Sequence, residues 1–203
     1  MIGRLAQYDA YERHRTVALL LGQEFCGYVL DAGGMGGTLA RYLPQSQVTV
    51  LNIDDSADVQ YGGGHFPFGS YAFDSVISLD TLEHVPQLLR DGFLEECTRV
   101  ARCNMLVAAP LGSLGHVAYE ARLDALYLEV HGVHHRWLHE HVIHGLPTQA
   151  DLDRWQRRFR AQGFSVQVWY AGDYQWQCRN IERSLRPGPA DPGHLEGTLC
   201  QGH

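Results

Sequence analysis

Lysine is missing from this chain: all 16 basic residues among its 203 are arginine. The absence excludes Schiff-base chemistry and a lysine general base, and it excludes the phosphate-binding loop GxxxxGK[ST]. Basic charge is scarce as well, because 16 arginines face 23 acidic residues and leave a net charge of -7 at pH 7. We therefore expect neither a nucleic-acid partner nor an anionic membrane surface, since both attract basic proteins.

Cysteine pairs and long apolar runs are also lacking. The five cysteines are odd in number and no two are spaced as CxxC, which is typical of a reduced intracellular protein and not of a disulfide framework. The first residues do not have the form of a signal peptide, and no apolar stretch approaches the length of a membrane span. We expect a cytoplasmic protein with no membrane partner.

Strand and helix patterns alternate through the first half of the chain. The apolar segments predict five strands, at 28–31, 48–53, 58–64, 73–79 and 105–109. Helices are predicted over 5–21, 38–43 and 87–101. This alternation predicts an α/β fold with a mostly parallel, doubly wound sheet, which places ligands at the carboxyl ends of its strands.

The pattern changes after Pro110. Helices are predicted over 116–131 and from a capping box at Thr148 to Gly163, and alternating apolar residues predict a sixth strand over 164–170. A last strand is either missing or formed by 174–183. We expect one domain over 1–183, followed by a Pro/Gly-rich tail over 184–203.

A glycine cluster follows the first predicted strand. The chain reads Asp31-Ala32-Gly33-Gly34-Met35-Gly36-Gly37 at a strand-to-helix turn, where glycine lets a ligand lie against the backbone. The GxGxxG dinucleotide fingerprint does not fit, because its third glycine would fall on Leu39 or its second on Met35. A nicotinamide oxidoreductase is therefore disfavoured, while a tight turn without a ligand stays open as an alternative.

An acid follows the second predicted strand, about twenty residues beyond the glycines, where an acidic residue can accept hydrogen bonds from both hydroxyls of a ribose. This acid is Asp54, with Asp55 beside it. The plainer alternative is a solvated acid at a strand end.

Five motifs in order resemble the class I S-adenosylmethionine-dependent methyltransferases, especially the group called methyltransferase type 11. They are Asp31-Ala32-Gly33, Ile53-Asp54, Phe66-Pro67-Phe68, the segment 73–85 that ends Leu82-Glu83-His84-Val85, and Arg99 to Arg102 before Ala109-Pro110. The match covers about residues 25–112. The resemblance implies methyl transfer from S-adenosylmethionine to a small-molecule acceptor. A catalytically degenerate member of the same fold is the alternative.

The resemblance also implies contacts with the cofactor. Its methionine part would be approached by Gly33, Gly34 and Gly37, and would be faced by Asp31, Leu79 and Asp80. Its ribose would be held by Asp54, and its adenine would be flanked by the residues around Gly64, His65 and Phe66. A segment over about 112–147 would lie over the cofactor and shape the acceptor pocket.

Two positions depart from the family pattern. Met35 stands where the family usually has glycine, and its side chain could narrow the cofactor site. Gly62 stands where the family often has an aspartate that accepts a hydrogen bond from the adenine amino group. Both departures are compatible with a degenerate, non-catalytic member.

Histidines are concentrated in the segment predicted to cover the site. Six of them lie between residues 131 and 144, and His135 and His139 have the spacing of one helix face. No cysteine lies nearby, so we expect no bound metal. A proton acceptor for a hydroxyl or amine substrate is predicted among the histidines. His141 is the preferred base and His84 the second candidate, although His84 could simply support its loop.

Overall fold

The structure is a computed structural model that describes residues 2–22, 24–172 and 174–185. Its centre is a sheet of five parallel strands in the order β3-β2-β1-β4-β5. The strands are β1 (Tyr28–Ala32), β2 (Gln47–Asn52), β3 (Val59–Gln60), β4 (Phe73–Leu79) and β5 (Ala101–Ala108). The chain therefore builds the sheet outward in one direction from β1 and then returns to its other side with β4. That reversal places a crevice at the carboxyl ends of β1 and β4.

Six α-helices accompany the sheet in the described part of the chain. They are α1 (Ile2–Leu21), α2 (Arg90–Val100), α3 (Leu114–His131), α4 (Arg136–His144), α5 (Gln149–Ala161) and α6 (Tyr174–Leu185). Thr148 caps α5 through the predicted capping box with Asp151. None of the described helices is long and apolar enough to cross a membrane.

Both faces of the sheet are covered, as the sequence pattern predicted. Neighbouring strand residues point to opposite faces, so Val29 packs with Ile77 and Val17 of α1 on one side. Leu30 and Val76 face the other side, where the core includes residues of α2 and α5. These residues are fully or almost fully buried. The predicted doubly wound α/β fold is confirmed.

Two predicted elements are wrong. The helix over 38–43 is only one 3-10 turn at Leu39–Arg41, because the glycines end at 37 and Pro44 disfavours a helical conformation just before it. Residues 164–170 form no strand. They have the alternation of a strand, but β5 pairs only with β4 among the described strands, and Trp169 and Tyr170 are largely exposed.

The segment 174–183, considered as a last strand, belongs to helix α6. Its Tyr174 stacks on His116 of α3 with ring centroids 4.5 Å apart, and its Glu182 accepts a hydrogen bond from Tyr119 of α3. Tyr174 and Glu182 are eight residues apart, which places them on one helix face. The sheet thus ends at β5 within the described residues, and 186–203 of the predicted tail lie outside them.

Candidate functional site

The glycine turn after β1 is shaped first by the protein's own side chains. A Cβ atom on Gly33 would lie 2.2 Å from the Thr81 side chain, and one on Gly34 would lie 2.0 Å from the Asp31 carboxyl group. Gly37 has a positive φ of 72° and open space where a Cβ would stand. The first two glycines are therefore required by internal packing, while the third leaves its backbone accessible.

Asp31 is a buried carboxyl group beside that turn. It is only 2% exposed, and this burial raises its pKa to about 7. Its Oδ2 atom has no hydrogen-bond partner among the described residues. Leaving such an atom unpaired is costly, so a cationic or hydrogen-bond-donating ligand would stabilise it.

The end of β2 contributes a residue that sequence reasoning missed. The Asn52 side-chain amide donates hydrogen bonds to the carbonyl oxygens of Gly33 and Gly34, at 3.2 and 2.9 Å. It holds the glycine turn against the strand end. In the sequence, Asn52 stands out only as a polar residue near the end of the predicted strand, two positions before Asp54.

Asp54 lies beyond the strand end, on the surface. Its Oδ1 atom accepts hydrogen bonds from the Ser56 hydroxyl and backbone N–H at 2.6 and 3.0 Å. These bonds lower the pKa of Asp54, and Arg136 at the start of α4 lowers it slightly further.

The predicted adenine-flanking residues differ in accessibility. Gly64 has open space at its Cβ position, and the His65 side chain is 73% exposed with Nδ1 3.1 Å from Glu96. The Phe66 ring is fully buried and packs on Tyr61 and Phe93. Phe66 is therefore a core residue, and its ring has no surface for a ligand.

Met35 and Gly62, the two positions that depart from the family pattern, are not enclosed by neighbouring residues. The Met35 side chain is 65% exposed, so it is not packed inside the described part of the molecule. A Cβ atom on Gly62 would meet nothing within 4 Å. Both positions are therefore open to solvent.

The end of β4 has an unusual backbone. Leu79 is half-buried, and Asp80 after it has a positive φ of 49°, which is uncommon for a residue other than glycine and often marks a functional site. The Asp80 carboxylate pairs with Arg13 of α1 at 2.6 Å. Helix α1 therefore reaches over the carboxyl end of the sheet.

The two predicted base residues lie together. The rings of His84, just beyond β4, and His141, on α4, have centroids 4.8 Å apart. Nδ1 of His84 lies 2.8 Å from Glu140, and Nδ1 of His141 lies 3.0 Å from Glu120. Burial and the neighbouring His141 lower the pKa of His84, against the opposing effect of Glu140.

Glu83 lies next to this pair and is only 2% exposed. Its burial raises its pKa to about 8, and the nearby Asp80 adds to the effect. Its Oε2 atom has no hydrogen-bond partner among the described residues. Sequence reasoning assigned Glu83 no role beyond the motif in which it lies.

Helix α3 buries polar side chains against α4. His116, Glu120 and Asp124 recur every four residues and all are buried. Burial acts to raise the pKa of Glu120, but hydrogen bonds with His116 and His141 outweigh it and lower that pKa to about 2. Asp124 accepts hydrogen bonds from three residues at the start of α4, namely the side chains of His134 and His139 and the backbone N–H of His135.

Arg90 joins α4 to the loop after β4. It is only 1% exposed, and its guanidinium donates to five carbonyl oxygens. Three belong to Leu82, Glu83 and Val85, and two belong to His144 and Gly145. Sequence reasoning missed this residue, because nothing in a helix-spacing pattern distinguishes a buried arginine from a solvated one.

Comparison with known proteins identifies the fold. No protein-family model and no curated protein sequence matches the chain. Solved structures do match. A candidate methyltransferase from Bacillus halodurans is 16% identical, with a TM-score of 0.51 over 84% of this chain and 81% of that one. The YcgJ protein of Bacillus subtilis is 16% identical, with a TM-score of 0.51 over 85% of this chain and 82% of that one.

A third similar structure comes from an archaeal complex. It is the candidate methyltransferase of Haloferax volcanii bound to the methyltransferase activator Trm112. It is 17% identical, with a TM-score of 0.52 over 82% of this chain and 74% of that one. At such identities the likeness concerns the fold. The chain therefore has the Rossmann-like fold of these methyltransferase structures, and its resemblance to the type 11 group stays a prediction.

Proposed function

We propose that this protein binds S-adenosylmethionine at the carboxyl ends of β1, β2 and β4 and transfers its methyl group to a small-molecule acceptor in the cytoplasm. The fold supports the proposal, because this edge of a doubly wound sheet is where such folds bind ligands. The order of the sequence motifs supports it as well, since each motif that resembles the methyltransferases falls in this sheet, in the segments that connect its strands, or directly after its last strand.

The observation that carries the proposal is the unpartnered Oδ2 atom of Asp31. This atom is buried at the reversal point of the sheet, beside the glycine turn. The methionine part of the cofactor carries an ammonium group, which would supply the missing hydrogen-bond donor and the opposite charge. The residues present therefore fit this group of the cofactor.

The remaining contacts follow from position. Gly37 offers accessible backbone, Asp54 is proposed to hold the ribose, and Gly64 with His65 would border the adenine. Phe66 would support that border from the core and not touch it. Leu79 and Asp80 would face the methionine end, where Arg13 holds Asp80 in place.

The acceptor is proposed to bind under α3 and α4, within the segment 112–147 of a single domain over 1–183. His141 would accept the proton of a hydroxyl or amine acceptor, with His84 beside it. When bound, S-adenosylmethionine supplies an activated methyl group, so this chain has mainly to align the acceptor with it and to exclude water.

Thermal melting tests the cofactor assignment. S-adenosylhomocysteine at a hundred times its dissociation constant adds about 2.7 kcal/mol, which raises the Tm of a domain of this size by roughly 5–11 °C. NAD at the same concentration is the control and is expected to leave the Tm unchanged. A shift with NAD alone would contradict the proposal.

A binding module without catalysis is the second candidate. It is favoured by the two departures from the methyltransferase pattern, which are Met35 in the glycine turn and Gly62 where an adenine-binding aspartate is common. Incubation with methyl-labelled S-adenosylmethionine and a small-molecule extract separates the two. Label transfer that is absent in an Asp31→Asn control supports the enzyme, and binding without transfer supports the module.

A further inference from the structure

Three potential metal ligands meet between the end of β4 and helix α4. Glu83 and His84 lie in the loop after β4, and His141 lies on α4. Each offers one ligand atom, and the three atoms lie within 4.8 Å of one another. Ligands bound to zinc at about 2.0–2.2 Å in a tetrahedral site are about 3.4 Å apart. The distances between these ligand atoms would therefore have to shorten by at most about 1.4 Å to match a tetrahedral site.

Two of these side chains have buried atoms that the described residues leave unsatisfied. They are the Oε2 atom of Glu83 and the Nε2 atom of His141. Both atoms can offer a lone pair, and neither has a hydrogen-bond donor to receive it. Buried polar atoms in proteins are almost always paired, so two orphans in one cluster indicate a missing cationic partner.

Both imidazoles are oriented as metal ligands usually are. Nδ1 of His84 is held by Glu140, and Nδ1 of His141 is held by Glu120. An Nδ1–H that donates to a carboxylate leaves the Nε2 lone pair available and fixes the direction of the ring. Glu120 is itself held by His116, and Glu140 by Arg136, so these supporting carboxylates are also fixed.

A second histidine cluster on the same helices serves as a contrast. Nδ1 atoms of His134 and His139 lie 2.8 and 3.1 Å from the same oxygen of Asp124. Hydrogen bonds to Asp124 account for both Nδ1 atoms, and no buried atom of these three residues is unpaired. This cluster joins α3 to α4 without needing an ion.

We propose that Glu83, His84 and His141 bind one divalent transition-metal ion. Two imidazole nitrogens and one carboxylate suit zinc and its first-row neighbours, and three protein ligands leave a coordination position open, as in catalytic sites. This proposal replaces the expectation of a metal-free histidine segment. The role of His141 and His84 as proton acceptors in the proposed function would then apply only to the protein without a bound ion. The open coordination position would take an oxygen or nitrogen atom of a small molecule.

Metal binding is tested on the full chain without a histidine tag. The protein is stripped with chelator, loaded with excess Zn²⁺, dialysed, and analysed for retained zinc by elemental analysis. Loading with Co²⁺ provides a second readout, because visible absorption of bound cobalt reports its coordination. We expect one retained ion that is lost in the isosteric Glu83→Gln variant and in His141→Gln. Asp124→Asn, in the second cluster, is the matched control and is expected to keep that ion.

A variant of a supporting carboxylate distinguishes loss of the metal site from misfolding of the protein. Glu120→Gln leaves all three ligands in place and is expected to weaken zinc binding about 10–100-fold, as loss of a histidine-orienting carboxylate usually does. The proposal is overturned by wild-type protein that retains no zinc, by Glu83→Gln that retains as much as wild type, or by Asp124→Asn that loses the ion. S-adenosylhomocysteine binding, measured on the same samples, reports on the methyltransferase proposal separately.

Discussion

The sheet and the α3–α4 pair bury opposite kinds of side chain. In the sheet, the central residues Leu30, Val76 and Ile77 are apolar and completely buried. In α3, the buried residues are mostly polar, while Leu114 at its start is 92% exposed. The sheet is therefore stabilised mainly by removing apolar surface from water. The α3–α4 pair depends on hydrogen bonds and charges that need specific partners.

The largest loss of stability is expected from replacing Arg90, because its side chain joins the loop after β4 to helix α4. Replacing it in Arg90→Met keeps much of the volume but removes the guanidinium N–H groups from which five carbonyl oxygens accept hydrogen bonds. We expect the free energy of unfolding in urea to fall by about 3 kcal/mol or more. Arg102→Met is the control, because the Arg102 side chain is 55% exposed and surface pairs contribute only about 0–1 kcal/mol. Equal losses in both variants would contradict a special role for Arg90.

The next largest effect is expected inside the α3–α4 pair. Glu120→Ala removes the carboxylate shared by His116 and His141. Charge-assisted hydrogen bonds contribute about 1.5–3 kcal/mol each, so we expect a loss of about 2–3 kcal/mol in the same unfolding experiment. Glu129→Ala, on an exposed part of the same helix, should change stability by less than about 0.5 kcal/mol. A helix held only by apolar contacts would tolerate both variants equally.

This contrast also explains what the sequence could predict. The sheet strands and the position of Asp31 beside the glycines follow from local patterns, because apolar burial is visible in the spacing of residues. Arg90, Asn52 and Glu120 did not stand out, since their roles depend on partners distant in sequence. The wrong strand over 164–170 has the same cause: its alternation is local, but a strand also needs a pairing partner, and these residues pair with no described strand.

The pH dependence of stability tests the one buried acid of the sheet that lies beside the glycine turn, Asp31. Burial raises the pKa of Asp31 to about 7, so the folded protein keeps a proton that the unfolded chain loses near pH 4. The free energy of unfolding therefore falls as the pH rises from about 4 to about 7. Between pH 6 and pH 8, ionisation of Asp31 lowers the free energy of unfolding by about 1.4 kcal/mol.

The Asp31→Asn variant cannot ionise at this position and should lack that part of the pH dependence. Its free energy of unfolding, followed in urea from pH 6 to 8, should fall less than that of wild type. An identical pH profile for both proteins would mean that Asp31 is already ionised in the folded state.

The smallest effect is expected at the surface end of β2. Asp54→Ala should weaken binding of S-adenosylhomocysteine by about tenfold, because a carboxylate that accepts ribose hydroxyls is lost. Asp55→Ala is the matched control and should leave affinity unchanged. Both side chains are exposed, so stability should hardly change. Equal titration isotherms for the two variants would remove Asp54 from the cofactor site.

The most direct test of the account is a calorimetric titration of the metal-free protein with S-adenosylhomocysteine at pH 6 and pH 8. If the ammonium group of the ligand pairs with ionised Asp31, affinity rises about tenfold from pH 6 to 8, because the carboxyl group titrates near pH 7. Asp31→Asn should bind more weakly and with no such rise. Binding that is equally tight in wild type and Asp31→Asn, or no binding of S-adenosylhomocysteine at either pH, would contradict the proposed cofactor site.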